Sequence, residues 1–231
     1  MKHLLNIYLD PGKVFAELKE KPIWWLPLLI LIVFNIVLML CYFSSVDPDW
    51  FSERQWQQVE AQQIGRDFSA AQIEQMRRFL PSARTAGYIA AVTTPVFIVI
   101  VMLVSALYYW LAGKITGSAV SYKQGFTLAA WASMPGALGV LVALIGALVM
   151  SPQTGLESLM LTHIDPLLVQ LPFDHGWSRF AKAFDLMILW SIFLSALGWR
   201  TWNRTNWAQA IIVAVLPALV IFGVWALVVV L

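Results

Sequence analysis

Four stretches of this chain hold no Lys, Arg, Asp or Glu: residues 23–43, 88–112, 126–150 and 207–231. At 1.5 Å per residue, each is long enough as a helix to cover a hydrocarbon core of about 30 Å. A helix apolar on every side has no face to offer water. Lipid is the solvent these segments require, and the fold class they predict is an all-α integral membrane protein. Composition agrees, with 60% hydrophobic and 12% charged residues against roughly 25% charged in soluble domains. A fifth stretch, residues 183–199, is shorter than these four and carries Asp185. It is expected to span with little tilt, Arg200 snorkelling to the interface. The expectation is therefore a bundle of about five transmembrane helices over residues 23–231, with a helical extramembrane cap.

The distribution of charge sets the orientation. Residues 1–22, 113–125 and 200–206 hold eight basic residues in 42 positions, whereas residues 44–87 and 151–182 hold seven in 76. The denser set belongs in the cytoplasm, which puts the N-terminus inside and the C-terminus outside. Trp24, Trp25, Trp110, Trp199, Trp202 and Trp207 are then expected at the inner interface. The segment before the first span, residues 1–22, does not read as a cleaved signal peptide, and Leu40 before Cys41 is too large for a lipoprotein site. Cys41 is the only cysteine, so no intrachain disulfide forms. Net charge is +2 and the basic residues form no stripe, which excludes a nucleic-acid partner.

The segments outside the spans have helical signals of their own. In residues 1–22, Asp10-Pro11 is a helix start. Val14, Phe15 and Leu18 share one face and Lys13, Glu17 and Lys21 the other, predicting an interfacial amphipathic helix on the inner surface. Packing of that helix on the bundle is the alternative. In residues 44–87, the pairs Ser52/Gln55 and Ser69/Gln72 match capping boxes. Trp56 and Val59, then Ile73, Met76 and Phe79 or Leu80, follow at helical spacing, predicting a helical hairpin. Residues 151–182 are rich in leucine but interrupted by Pro166 and Pro172, so they cannot form one helix. They are expected to complete a cap with the first outer segment.

No catalytic motif is present: no HExxH, GxSxG, phosphate-binding loop or acidic head-group-transferase signature. Neither an enzyme nor a cofactor is expected. Gly176-Trp177-Ser178 lacks the second glycine of a nucleophile elbow and reads as a helix start. His163, Asp165, Asp174 and His175 are metal-ligand types lying close in sequence, but their spacing fits no ligand pattern. Inside the spans, Asn35, Thr93, Thr94 and Ser133 are the polar candidates. Asn35 is expected to bond across to a neighbouring helix. Helix breakers fall at Thr93-Thr94-Pro95, at Ser133-Met134-Pro135-Gly136 and at Pro217 with Gly223, and Pro135 with Gly136 bends a helix or frees its carbonyls. Gly139, Ala143 and Ala147 make a small-residue stripe for close helix packing.

Two segments carry a resemblance. In "DPGKVFAELKEKPIWWLPL" a proline, an aromatic four residues on and a second proline introduce the first span. In "SYKQGFTLAAWASMPGALG" a short polar lead enters a span with proline in its first half. Both resemble the Yip-domain family of Ypt- and Rab-interacting membrane proteins, and more closely its bacterial relatives. The resemblance implies five spans, a cytoplasmic N-terminus, a bacterial cytoplasmic (inner) membrane and no catalytic residues. Family members of the secretory pathway associate with small GTPases and with one another, but through a long cytosolic N-terminal region, and here that region is reduced to the segment 1–22. The expected partners are therefore the bilayer, other membrane proteins or a second copy, rather than a GTPase. The function expected is a non-enzymatic protein that organises or binds membrane components, in a role like membrane shaping or trafficking. The alternative is a channel or transporter for a small or amphipathic solute, with Asn35, Thr93, Thr94, Ser133, Pro135 and Gly136 along its polar path.

Overall fold

The computed structural model describes residues 2–62 and 69–231. Among them the chain forms thirteen helices and no strand: α1 (Lys2–Leu9), α2 (Pro11–Glu20), α3 (Trp25–Ser45), α4 (Pro48–Gln62), α5 (Ala70–Phe79), α6 (Ala83–Thr116), α7 (Tyr122–Ala132), α8 (Met134–Val149), α9 (Leu156–Leu159), α10 (Ile164–Leu167), α11 (Ser178–Ala183), α12 (Met187–Asn203) and α13 (Trp207–Val230). Four helical stretches are long and apolar enough to cross a membrane: Trp25–Ser45, Ala83–Thr116, Tyr122–Val149 and Trp207–Val230. The chain is thus a multi-pass helical membrane protein with about four such spans rather than five. The expected fifth is shortened because residues 184–186, between α11 and α12, are not helical, and Asp185 instead accepts the Met187 N–H at 2.9 Å where α12 starts. The 17 residues of α12 cover about 25 Å.

Local chemistry sets the helix ends. Asp10 caps α2 and Pro11 opens it. Asp47 and Pro48 do the same for α4, with Asp47 accepting the Trp50 N–H at 2.8 Å. Ser52, expected as a cap, therefore lies inside α4, because the earlier Asp-Pro pair takes the start. Ser69 and Ser121 close full capping boxes with Gln72 and Gln124. Ser82 caps α6 and Gly117, with φ of 70°, ends it, so this helix has 34 residues and exceeds the expected 88–112 at both ends. Of the three expected breaks, only Ser133 to Pro135 divides a helix. α6 continues through Pro95 and α13 through Pro217. Each proline removes one N–H, and unwinding in lipid would strand further backbone groups.

α3 packs between α6 and α8, and α7 lies against α6, while α12 meets α2, α7, α8 and α13. Close approach rests on small residues. A Cβ on Gly125 would lie 2.8 Å from the Ala106 carbonyl oxygen, and one on Gly139 would lie 2.7 Å from Thr162 Oγ1. Ala143 and Ala147, on the same stripe as Gly139, are buried with Leu38, Met39, Tyr42 and Leu159. The outward faces of α6 and α13 expose Val96, Phe97, Val104, Leu219, Ile221 and Leu227, a surface suited to lipid and not to water.

The amphipathic segment 1–22 is two helices, and its apolar face packs on protein instead of facing lipid. Ile7, Val14, Phe15 and Leu18 are fully buried. Trp202 Nε1 donates to the Phe15 carbonyl and Lys19 Nζ to the Trp202 carbonyl, both at 2.6 Å. Of the six tryptophans expected at the interface, Trp199 and Trp202 are buried in the core. Trp24, Trp25 and Trp207 are exposed, and Trp110 lies under Lys114 at 5.6 Å.

Two substitutions test this packing through the thermal unfolding of detergent-solubilised protein. Phe15→Ala is expected to cost about 3–5 kcal/mol, the usual penalty for a buried aromatic. Gly125→Val is expected to cost about 1–3 kcal/mol by forcing α6 and α7 apart.

Candidate functional site

Inside the membrane region the polar side chains do not converge. Asn35 Nδ2 donates to the Leu31 carbonyl, Thr93 Oγ1 to Ile89 and Ser133 Oγ to Ala129, each at 2.8 Å and each one turn back on the same helix. Among the described residues Asn35 thus forms no bridge to a neighbouring helix, its amide turning to its own i−4 carbonyl. Thr93 is exposed on the lipid-facing side of α6 and Thr94 half-buried beside it. Among the described residues, none of five surface cavities is lined by Asn35, Thr93, Thr94, Ser133, Pro135 or Gly136.

The α7–α8 break has a different partner. Tyr8 Oη donates to the Met134 carbonyl at 2.7 Å, while its ring meets Trp190 edge-on at 5.6 Å. Burial pushes the Tyr8 phenol up to about 12, so it stays protonated and remains a donor. Met134 lies roughly three turns beyond the start of α7, about 18 Å along the helix. The N-terminal helices therefore reach well into the bundle. Nearby, Trp131 Nε1 donates to the Ile23 carbonyl at 2.5 Å. Tyr8 gave no sign of this role in the sequence, since a tyrosine on a short amphipathic helix reads as an interface residue.

Charged chemistry gathers at the end of the bundle where α4, α5 and α9 to α11 form the cap. Asp47 N–H donates to the Pro152 carbonyl at 2.8 Å and Tyr42 Oη to Thr154 at 3.1 Å, joining the two cap segments. The guanidinium of Arg54 pairs with the Glu157 carboxylate, both side chains about three-quarters buried. It also lies 4.8 Å from the Phe173 ring centroid, with Lys182 Nζ at 4.3 Å from the same ring. α5 folds back on α4 through Arg77, which lies 4.6 Å from the Trp56 ring and 3.9 Å from Glu53. A cavity of about 340 Å³ opens among Gln58, Glu157, Phe173, Ser178, Arg179 and Lys182. A second, of about 550 Å³, shares Glu157, Phe173 and Lys182 with it and reaches Leu161 and Asp165.

The four metal-ligand candidates are dispersed within this cap. His163 Nδ1 contacts the Lys182 carbonyl, and its Nε2 lies 4.0 Å from Asp185 Oδ2. Asp165, 5% exposed, accepts the Leu171 N–H at 3.0 Å. His175 Nδ1 accepts the Trp177 N–H in a local turn, and Asp174 is exposed. Among the described residues no three His, Cys, Asp or Glu side chains are grouped to hold a metal.

A helical, multi-pass chain with this arrangement matches the Yip1 domain over residues 5–228. The chain belongs to the Yip1-domain family. Membrane protein YknW of Bacillus subtilis (strain 168) is 25% identical over 227 residues, covering 96% of this chain and 89% of that protein. No solved structure matches the chain. The Yip1 domain thus spans the cap as well as the membrane helices, and the Arg54–Glu157 pair and the Phe173 cavity lie within it.

Two outcomes are expected here. Glu157→Gln, which leaves Arg54 without its charged partner, should cost about 1–3 kcal/mol, and the double substitution with Arg54→Met should recover part of that loss in thermal unfolding. Incubation with EDTA should leave the unfolding temperature unchanged.

Proposed function

We propose that this Yip1-domain chain is a non-enzymatic protein that organises or binds other membrane components through its cap, in a role like membrane shaping or trafficking. It sits in the cytoplasmic membrane of a bacterium, N-terminus inside and cap outside. The observation that carries the reading is the segregation of polarity. Membrane-embedded Asn35, Thr93 and Ser133 close their hydrogen bonds within their own helices, while cationic and aromatic side chains surround cavities at the cap. Asn35 and Ser133 line none of the five cavities, which weighs against a transport path through them. Ion-coupled carriers place charged groups at mid-membrane, and residues 23–43, 88–112, 126–150 and 207–231 hold no Lys, Arg, His, Asp or Glu.

Three measurements test this. Proteoliposomes carrying the protein should take up small solutes no faster than empty ones, and Asn35→Leu should leave both that rate and the stability unchanged. A photo-cross-linker at Gln58 should capture membrane components in intact cells. With Cys41 replaced by Ser, a cysteine at Gln58 should react with a membrane-impermeant thiol reagent from outside and one at Lys13 should not. Solute uptake that depends on Asn35 would overturn the reading.

A further inference from the structure

Of the cap's features, the cations beside Phe173 point to a ligand. Arg54 and Lys182 lie at 4.8 and 4.3 Å from the same ring centroid, which gathers two positive charges around one ring. Arg54 has Glu157 as its partner, but Lys182 and Arg179 form no ion pair among the described residues. Both line the 340 Å³ cavity, beside the neutral Gln58 and Ser178. Asp165, in the adjoining cavity, directs its carboxylate to the Leu171 N–H. The first cavity thus sets Arg179 and Lys182 against Glu157, whose carboxylate is already paired with Arg54, and its lining is net cationic.

Its setting is fixed by α11. On this short helix Arg179 and Lys182, three apart, share one face, and Phe180, with Phe184 just past the helix end, lies on the other. Phe180 meets Phe222 at 5.9 Å and Trp225 at 5.8 Å, and Phe184 meets Phe222 at 4.7 Å. Those partners lie in the latter half of the membrane-crossing α13. The aromatic face of α11 therefore packs on a membrane helix, as aromatic belts do where protein meets the interface, and its cations point away from that helix. Beside them the chain leaves a run of apolar side chains uncovered: Leu161 at 49%, Leu167 at 52%, Leu168 at 67% and Val169 at 38% exposure. Leu161 lines the cavity that Lys182 also lines.

We propose that this cavity binds the phosphodiester head group of an anionic phospholipid from the adjoining leaflet, Arg179 and Lys182 facing the phosphate and the ridge from Leu161 to Val169 lying along its acyl chains. A cationic pocket next to an exposed leucine ridge matches a ligand that is charged at one end and apolar at the other. A free anion would use only the first. The inference rests on the reading of the cap as a membrane-binding device and names the component it takes.

The test uses the full chain in neutral detergent, titrated with dioctanoyl phosphatidylglycerol, dioctanoyl phosphatidylcholine, glycerol phosphate and inorganic phosphate, with binding followed by native mass spectrometry. Phosphatidylglycerol should bind about tenfold tighter than phosphatidylcholine, and the soluble phosphates more weakly than either lipid. Arg179→Gln with Lys182→Gln should remove about tenfold of the phosphatidylglycerol affinity, as expected when charge-assisted hydrogen bonds are lost, while Lys182→Arg retains it. Since Arg179 is exposed, Arg179→Gln alone serves as the variant that keeps the fold, and should still weaken phosphatidylglycerol selectively. Leu167→Ser with Leu168→Ser should weaken both lipids and leave soluble phosphate unchanged. Equal binding of the two lipids, equal binding of soluble phosphate and phosphatidylglycerol, or full affinity in the folded double glutamine variant would each overturn the assignment. If cross-links from Gln58 to membrane proteins persist in that event, the broader reading of the cap stands. If they are absent too, it falls with the lipid site.

Discussion

Lipid offers no hydrogen bonds, and the rest of this structure follows from that constraint. An unpaired N–H or carbonyl costs several kcal/mol in hydrocarbon, so long segments remain helical even where local sequence argues against it. Pro95 and Pro217 stay inside continuous helices, although proline interrupts helices in water. Hydroxyl and amide side chains obey the same rule. Asn35, Thr93, Ser133, Thr116 and Thr201 all bond to carbonyls one turn back, the one acceptor that every helix supplies. The result is a bundle whose small hydroxyl and amide side chains close locally, while helix association combines apolar packing and small residues with a few longer bonds, such as Tyr108 Oη to the Val213 carbonyl at 2.6 Å and Tyr122 Oη to the Leu103 carbonyl at 3.0 Å.

The α7–α8 junction also draws in a distant element. Tyr8 adds a bond to the Met134 carbonyl at the start of α8, brought there by helices that precede the first span. The same helices accept from Trp202 at Phe15 and return a Lys19 bond to the Trp202 carbonyl near the end of α12. A cation at a helix C-terminus also suits the helix dipole. α12, with 17 residues, is too short to match the bilayer by itself, and α2, α7, α8 and α13 pack around it. Protein contacts on several sides replace part of the lipid match that a longer helix would need. One face of the N-terminal segment, Ile7, Val14, Phe15 and Leu18, thus belongs to the bundle's core.

The sequence made the membrane class, the long spans and most helix ends legible because those depend on runs and on neighbours a few residues apart. The Ser69 and Asp10 caps are of this kind. Ser52 misled because it has the right partner at Gln55, and only the competing Asp47-Pro48 start showed it to be internal. The fifth span misled for a related reason: hydropathy from Ala183 onward is high, but Asp185 is used to start α12. Contacts made across long stretches of chain left no trace. Arg54 and Glu157 are 103 residues apart, and Tyr8 and Met134 are 126 apart. His163, Asp165, Asp174 and His175 looked clustered because they are near in sequence, yet three of them turn to different partners and Asp174 stays exposed.

The placement of charge decides where function can reside. A charged group is expensive in the membrane and inexpensive at its boundary, so a bundle selected mainly for a stable apolar interior has to place its recognition chemistry at an end. Here the end chosen is the cap. Its connections run through side chains able to do more than hold the fold: Arg54 touches Trp50, Phe173 and Glu157 together, and Lys182 shares the Phe173 ring while its carbonyl contacts His163. His163 in turn faces Asp185 at the start of α12. Phe173, Lys182, His163 and Asp185 thus form one line of contacts from the cap to the start of α12, so the charged end and the apolar bundle are built as a single packed unit.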